Sequence, residues 1–133
     1  MQFRESQPIY LQIVHYVCEK ILLKEWKPGD RIPSVRELAV LLEVNPNTVM
    51  RTFEFLQQNE IIDNERGIGH FVSGKGMTNA LSYCRSEFIE KELNYFFRNL
   101  ILLEMEPEEL TPSFEKYKRK NYPNLQKNRY ENK

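Results

Sequence analysis

Four polar residues in the stretch VNPNTVMR, residues 44–51, have the side chains with the clearest chemistry in this sequence. An arginine can bind a guanine through two hydrogen bonds, and an asparagine can bind an adenine in the same way. A threonine hydroxyl beside the free N–H groups of a helix start suits a phosphate. This set therefore predicts contacts with the bases and phosphates of double-stranded DNA. Its members are Asn45, Asn47, Thr48 and Arg51.

A helix must hold these side chains, and the sequence predicts one that runs to about Gln58. Asn45 is a good N-cap, and Pro46 is favoured at the first helical position. The apolar residues that follow are spaced by four and three, so at about 100° per residue the second and third fall within about 40° of the first. They are Val49, Phe53 and Leu56. Asn47 and Arg51 lie on the opposite face of this predicted helix.

Two helical patterns precede it. Residues 8–24 open with a proline and repeat an apolar residue every four positions, which predicts an amphipathic helix. In the second pattern, residues 33–42, Ser34 and Glu37 have the spacing of a capping box at the helix start. Two short helices joined by a tight turn after a longer helix are typical of a helix-turn-helix. The buried stripe predicted for the middle helix is Val35, Leu38, Leu41 and Leu42.

Residues 61–73 contain two short β-prone runs around ERGIG, which predicts a hairpin, or wing, after the helix-turn-helix. Arg66 at the tip is predicted to enter the minor groove, with Gly67 and Gly69 allowing close approach of the backbone. His70 is assigned to the same surface, and a plain strand position is the competing interpretation.

Residues near the start of the middle helix extend the predicted DNA surface. Ser34 is assigned a phosphate, and Arg36 a phosphate or a base. Structural alternatives remain for two members of the surface. Asn45 has a sufficient role as a helix cap, and Arg36 has acidic neighbours with which it could pair.

From residue 77 to about residue 105, two adjoining apolar rows predict one long helix. Its apolar face is wider than the stripe that packing against a single helix requires. A short helix is predicted to follow from Thr111 and Pro112. A second subunit is the expected cover for this face, and packing on the chain's own domain is the alternative. The residues assigned to the dimer interface are Leu81, Phe88, Ile89, Leu93, Phe96, Leu100 and Leu103.

Composition and motifs argue against several classes of protein. The chain has 133 residues, no net charge, and no apolar run near the roughly 20 residues that a membrane span requires. Its first residues lack the apolar core of a signal peptide, so a cytoplasmic protein is expected. Cys18 and Cys84 are interpreted as plain buried residues, since no cysteine or histidine spacing indicates a metal site. No catalytic dyad or cofactor motif is present, and an enzyme is not expected.

The ordered motifs in residues 31–72 resemble the winged helix-turn-helix of the GntR family of bacterial transcription regulators, and QPIYLQI at 7–13 resembles the first helix of that family. VNPNTVMR and the short C-terminal region are similar to the YtrA-type branch. The resemblance implies a homodimeric DNA-binding repressor, often of transporter operons, that dimerises through its C-terminal helices.

The sequence therefore predicts a mainly α protein with a small β-hairpin. Residues 1–76 form a winged helix-turn-helix, residues 77–120 a helical dimerisation region, and residues 121–133 a flexible basic tail. A dimeric regulator of transcription is the first functional hypothesis. A ligand-gated sensor is the second, with an effector site at the dimer interface among Tyr83, Phe88, Tyr95, Phe96 and Phe97, for which core packing is the alternative role. An adaptor that binds only proteins is the third, because residues 1–76 hold nine basic and ten acidic side chains.

Overall fold

The computed structural model describes residues 7–125, and the chain divides into two compact units between Ser86 and Glu87. We call them the winged unit, residues 7–86, and the C-terminal unit, residues 87–125. The helices and strands of the winged unit are α1 (Ile9–Leu22), α2 (Val35–Leu42), α3 (Pro46–Gln58), β1 (Ile62–Glu65) and β2 (Gly69–Val72), followed by α4 (Gly76–Phe88), whose last two residues belong to the C-terminal unit. The prediction of a mainly α fold with one hairpin is confirmed.

Helix α2 begins at the predicted capping box. The Ser34 hydroxyl accepts a hydrogen bond from the backbone N–H of Glu37 at 3.1 Å, and the Glu37 carboxylate accepts one from the N–H of Ser34 at 3.2 Å. The turn to α3 passes through Glu43, whose φ of 56° lies in the left-handed region. This conformation ends α2 after eight residues and lets the chain start α3 at a new angle.

The core of the winged unit lies between the three helices and the hairpin. Apolar residues at helical spacing on α1 pack against α3, which contacts α2 and β1. Ile61 and Ile62 close the core beneath the hairpin. The fully buried side chains on the helices include Ile13, Val14, Val17, Ile21, Leu38, Val49 and Leu56.

The predicted stripe of α2 was wrong at one position. Leu41 is 61% exposed, whereas Ala39 is buried. At about 100° per residue, Ala39 and Leu42 lie on the side of Leu38 that faces the core, and Leu41 lies on the other side. A helix of eight residues buries only one narrow face, so the small residue is inside and the larger leucine is outside.

Helix α4 packs on the core of the winged unit through Met77, Ala80, Tyr83 and Cys84. This contact brings two cysteines together that are far apart in the sequence. Cys18 is buried, Cys84 is half-buried, and the two are not joined by a disulfide. A hydrogen bond with Cys84 and burial raise the pKa of the Cys18 thiol well above its ordinary value. A raised thiol pKa keeps Cys18 protonated and unreactive, consistent with its predicted role as a core residue.

The long helix predicted from residue 77 to about residue 105 is present as a helical stretch over residues 76–102, and it contains one irregular turn. A π-helical turn at Ile89–Leu93 separates α4 from α5 (Asn94–Leu102). Because a π turn bonds i to i+5, it shifts the angular positions of the side chains, and the two apolar rows do not continue through it. Helix α5 ends as Glu104 enters the left-handed region with φ 55°.

A 3-10 turn at Pro107–Leu110 leads into α6 (Thr111–Asn121), which confirms the short helix predicted from Thr111. Residues 123–125 are also helical. The greater part of the tail predicted for residues 121–133 lies outside the described residues. Among the described helices, none is both long and apolar enough to cross a bilayer.

Candidate nucleic-acid interface

The N-terminus of α3 carries most of the predicted base contacts. The Asn45 side-chain oxygen accepts a hydrogen bond from the N–H of Asn47 at 2.8 Å, so Asn45 is the N-cap of the helix. Asn47 and Arg51 are exposed, and Thr48 is half-buried. The side chain of Asn45 is therefore used within the protein, whereas those of Asn47 and Arg51 face solvent.

Arg51 has a structural partner that the sequence did not indicate. Its guanidinium carbon lies 4.0 Å from the centre of the Tyr10 ring, within the range of a cation–π interaction. The backbone of Tyr10 is fixed as well, because the buried Thr52 hydroxyl donates to the Tyr10 carbonyl at 2.8 Å. Tyr10 is therefore a functional candidate that sequence reasoning missed.

The start of α1 and the start of α3 together form a shallow cleft of about 290 Å³. Stacking on Tyr10 places the Arg51 guanidinium at this cleft. A planar fork of donors beside exposed amide and hydroxyl groups can bind a base edge or a phosphate. The lining residues are Pro8, Ile9, Tyr10, Asn47, Thr48 and Arg51.

At the start of α2, Ser34 is half-buried and Arg36 is exposed. The hydrogen bonds from the Ser34 backbone N–H and with the Ser34 hydroxyl lower the pKa of the Glu37 carboxyl, and the nearby charge of Arg31 lowers it further. Glu37 is thus held ionised at the helix N-terminus, where a negative charge is favourable. The Ser34 hydroxyl accepts from the Glu37 N–H and also hydrogen-bonds the Glu37 carboxylate, so its single proton must leave that carboxylate to bind a phosphate.

The wing presents Arg66 at an exposed tip. The carbonyl of Glu65 accepts from the N–H of Ile68 at 2.9 Å, and Gly67 has φ +79° at the third position of this turn. A positive φ at that position is characteristic of a type II turn and favours glycine. Arg66 and Gly67 are exposed and Gly69 is half-buried at the start of β2.

His70 is placed differently from the other candidates. It pairs with Asn64 across the hairpin, and its ring packs edge-on against Phe53, with the ring centres 4.7 Å apart. Burial lowers the pKa of His70 below its ordinary value. The ring therefore lies on the side of the wing that faces α3, and it is held in its neutral form.

Pairing with nearby acids, the alternative role of Arg36, is not seen among the ion pairs of the described residues. Over residues 7–125, the ion pairs join Lys20 to Glu25, Lys91 to Glu87 and Lys118 to Glu115. None of these pairs includes Arg36, Arg51 or Arg66. Their guanidinium groups remain available to an anionic ligand, although the net charge of residues 1–76 is close to zero.

The residues predicted for a dimer interface differ in exposure. Leu81 lies in the winged unit and is 37% exposed, whereas Leu100 is buried within the C-terminal unit and Leu93 is half-buried. The remaining four, Phe88, Ile89, Phe96 and Leu103, are exposed.

The aromatic residues considered for a ligand site are also divided. Tyr83 packs against Phe55 at 5.2 Å, so its core role is supported. Phe88, Tyr95, Phe96 and Phe97 are exposed in the single chain. One of them, Phe97, lines an open groove of about 640 Å³ in the C-terminal unit, together with Leu100, Ile101, Glu104, Met105, Glu106 and Pro107.

Comparison with known families and proteins places residues 9–72 in a defined group. These residues match the family described as "Bacterial regulatory proteins, gntR family". The match covers the chain from α1 to the end of β2, and all ten residues predicted for the DNA surface lie within it.

Individual proteins agree with this match. The uncharacterized HTH-type transcriptional regulator YhcF of Bacillus subtilis (strain 168) is 45% identical over 74 residues, covering 56% of this chain and 61% of that protein. The HTH-type transcriptional repressor YtrA of the same organism is 44% identical over 75 residues, covering 56% and 58%. The chain therefore spans about three fifths of the length of these relatives.

A solved structure matches a larger part of the chain. The putative transcriptional regulator of the GntR family from Bacteroides thetaiotaomicron is 42% identical with a TM-score of 0.66, and the match covers 86% of this chain and all of that one. The similarity thus extends past the wing into the C-terminal unit.

Proposed function

Because the chain belongs to the GntR family of bacterial regulatory proteins, we propose that it is a repressor that binds an inverted-repeat operator as a homodimer. Its winged helix-turn-helix is the DNA-binding domain of a transcription regulator, and its relatives are regulators rather than enzymes. The observation that carries the proposal is the exposed start of α3, where Arg51 is stacked on Tyr10 beside Asn47. Binding to chromosomal DNA places the protein in the cytoplasm.

In the proposed complex the N-terminal end of α3 enters the major groove. Arg51 binds a guanine bidentately, Asn47 binds an adenine, and each good pair discriminates against wrong bases by about 1–3 kcal/mol. Thr48 and Ser34 bind phosphates, which fix the protein on the duplex without selecting sequence. Asn45 contributes by capping α3, so its share of the base recognition is indirect.

The other arginines and the wing complete the proposed surface. Arg36 is exposed in the first turn of α2 and binds a phosphate or a base edge there. Arg66 enters the minor groove, and Gly67 and Gly69 let the wing backbone approach the DNA closely. His70 supports the wing by packing against Phe53 and is the weakest candidate for a direct contact.

The dimer is supported by the exposed apolar residues of the C-terminal unit. Ile89 is 51% exposed and Leu103 is 65% exposed, and Phe96 lies between them in the sequence. Exposed apolar residues in such numbers mark an interaction surface. A two-fold axis relates two recognition helices, so the operator is an inverted repeat with half-sites spaced by about 10 base pairs or a multiple.

Repression is supported by the relative named as the repressor YtrA, and it requires only that tight binding occlude a promoter. The resemblance to the YtrA-type branch favours a transporter operon as the target.

The decisive experiment is selection from a random pool of duplex DNA, with wild type and Arg51→Ala side by side. We expect wild type to enrich an inverted repeat and Arg51→Ala to lose the base preference while keeping weak binding to all sequences. Enrichment of the same operator by both proteins would refute the assignment of Arg51. Enrichment by neither would favour the adaptor hypothesis.

The dimer is tested separately by analytical ultracentrifugation of Ile89→Glu. A charge in an apolar interface should convert a dimer to a monomer. Val40→Glu is the matched control, because Val40 is 74% exposed in the winged unit and outside the proposed interface. A wild-type chain that sediments as a monomer would remove this part of the proposal.

A ligand-gated regulator is the second candidate, and the groove of the C-terminal unit favours it. A volume of about 640 Å³ lies in the range of about 300–1,000 Å³ typical of small-molecule sites. Apolar walls beside the carboxylates of Glu104 and Glu106 suit a cation with an apolar body. A thermal-shift screen of lipophilic cations tests this candidate, and the absence of any stabilising compound would count against it.

A further inference from the structure

The segment before α2 pairs with strand β2 of the wing through an isolated β-bridge. Arg31 makes an antiparallel β-bridge with Phe71, the N–H of Ile32 donates to the carbonyl of His70 at 2.9 Å, and the N–H of Val72 donates to the carbonyl of Asp30 at 2.9 Å. Residues paired across an antiparallel bridge have side chains on the same face. The backbone therefore places the Arg31 side chain beside that of Phe71, on the face of the wing opposite the buried Ile32 and Val72.

Glycine at position 69 makes room for this arginine. A Cβ atom at Gly69 would lie 2.9 Å from Nε of Arg31, and 3.4 Å from both Cζ and Nη2. The guanidinium group thus lies against the bare backbone of the wing at the start of β2. Gly69 also has φ +148°, but this backbone angle alone would not account for the close contact with Arg31. Glycine at position 69 therefore adopts this positive φ without strain and also leaves room for the guanidinium of Arg31.

The same guanidinium is close to the start of α2. Its positive charge contributes to the lowered pKa of Glu37, which lies in the first turn of that helix beside Arg36. Arg31 therefore lies between the wing and the N-terminus of α2, two elements already assigned to the DNA surface. Arg31 is exposed, and the ion pairs formed within residues 7–125 do not include it.

We propose that Arg31 binds a DNA phosphate between helix α2 and the wing, and that Gly69 holds its guanidinium in place for this contact. The inference rests on the proposed DNA binding. A guanidinium fork fits a phosphate with two parallel hydrogen bonds. The Arg31 guanidinium lies beside Gly69, just behind the tip turn, so it meets the DNA backbone while Arg66 enters the groove. Contacts of this kind set the register of the protein on the duplex.

The test measures the affinity for the selected operator and for an unrelated duplex between about 50 and 200 mM salt, by fluorescence anisotropy. The variants are Arg31→Gln and, as control, Arg85→Gln, which removes an exposed arginine of α4 outside the DNA surface. Losing one phosphate contact should flatten the slope of log K against log salt by about 0.9 and weaken binding about 5- to 10-fold at 0.1 M salt. We expect this loss for Arg31→Gln on both duplexes and no change for Arg85→Gln.

Three results would overturn the inference. An unchanged salt slope for Arg31→Gln means that no phosphate is bound. Loss on the operator alone means that Arg31 contacts a base. A lower melting temperature with unchanged binding means that Arg31 serves only the packing of the wing. Failure of the wild type to bind any duplex would instead refute the proposed DNA binding itself.

The role of Gly69 is tested by coupling. Gly69→Ala should weaken binding in the wild-type background and have a smaller effect when Arg31→Gln is already present. Gly67→Ala is the matched control, because Gly67 also has a positive φ but a Cβ there meets nothing within 4 Å. Its effect should be the same in both backgrounds. Equal effects of Gly69→Ala in both backgrounds would show that glycine is needed at position 69 only because of its positive φ, and not to position Arg31.

Discussion

Replacing Tyr10 with alanine should reduce the sequence preference of the protein without unfolding it. The guanidinium of Arg51 lies 4.0 Å from the centre of the Tyr10 ring, well inside the limit of about 6 Å for a cation–π contact. Without the ring, Arg51 samples more rotamers and must be ordered when it binds a base. The backbone of Tyr10 stays anchored, because the bond from the Thr52 hydroxyl reaches its carbonyl rather than its side chain.

The size of the effect follows from the exposure of Arg51. A cation–π contact at an exposed site is worth about 0.5–1 kcal/mol, and about 2 kcal/mol when water is excluded. Arg51 is exposed in the free protein and would be covered in the complex. The dissociation constant for the operator should therefore rise by roughly 2-fold to 30-fold, since 1.4 kcal/mol corresponds to a factor of 10. The affinity for an unrelated duplex should not change.

Fluorescence anisotropy with both duplexes measures this difference, and Tyr10→Phe is the matched control because it keeps the aromatic ring. We expect Tyr10→Phe to bind like the wild type. If Tyr10→Phe lost as much affinity as Tyr10→Ala, the hydroxyl rather than the ring would be responsible. Tighter operator binding by Tyr10→Ala would mean that the stack holds Arg51 away from the DNA, and the reasoning would be refuted.

Three further predictions concern the stability of the winged unit. Gly76→Ala places a Cβ 2.6 Å from a backbone oxygen and should lower the free energy of unfolding by about 1–3 kcal/mol. Gly74→Ala, where a Cβ meets nothing within 4 Å, should be nearly neutral, and thermal unfolding of the two variants tests this difference. Thr52→Val leaves the Tyr10 carbonyl without its 2.8 Å bond and should cost about 1–3 kcal/mol in urea unfolding. Because burial lowers the pKa of His70, the unfolded state takes up its proton first as the pH falls below about 6.5. Stability should therefore fall between neutral pH and the lowered pKa, and a melting temperature equally pH-dependent in His70→Gln would contradict this.

Local signals in the sequence predicted the starts of the helices well. The capping box at Ser34 and the Asn45–Pro46 start of α3 are both present in the structure. Such signals are reliable because the groups that satisfy a helix end lie within three residues of it. The hairpin was predicted for the same reason, since its turn residues lie between its two strands.

Contacts between distant segments could not be predicted in this way. Nothing in the periodicity of α1 links Tyr10 to Arg51, and no spacing rule links Arg31 to Gly69. These pairs arise only when the core has set the positions of the helices and the wing. The π turn within the long C-terminal helix was missed for a related reason, because a spacing of seven residues continues through such a turn in the sequence but not in space.

The cap formed by Asn45 has a consequence for how much information the operator can hold. Its amide oxygen is bound to the N–H of Asn47, so on our assignment Asn47 and Arg51 are left for bidentate pairing with bases in the major groove. Two fixed base pairs per half-site give about four in a dimer site, a pattern that recurs by chance about once in 256 base pairs, against at least about 10⁶ competing sites in a genome. A pattern of four fixed base pairs is too short to select a single promoter. The remaining information must come from a base contact of Arg36, from Arg66 in the minor groove, from the spacing of the half-sites, and from the local width and stiffness of the duplex.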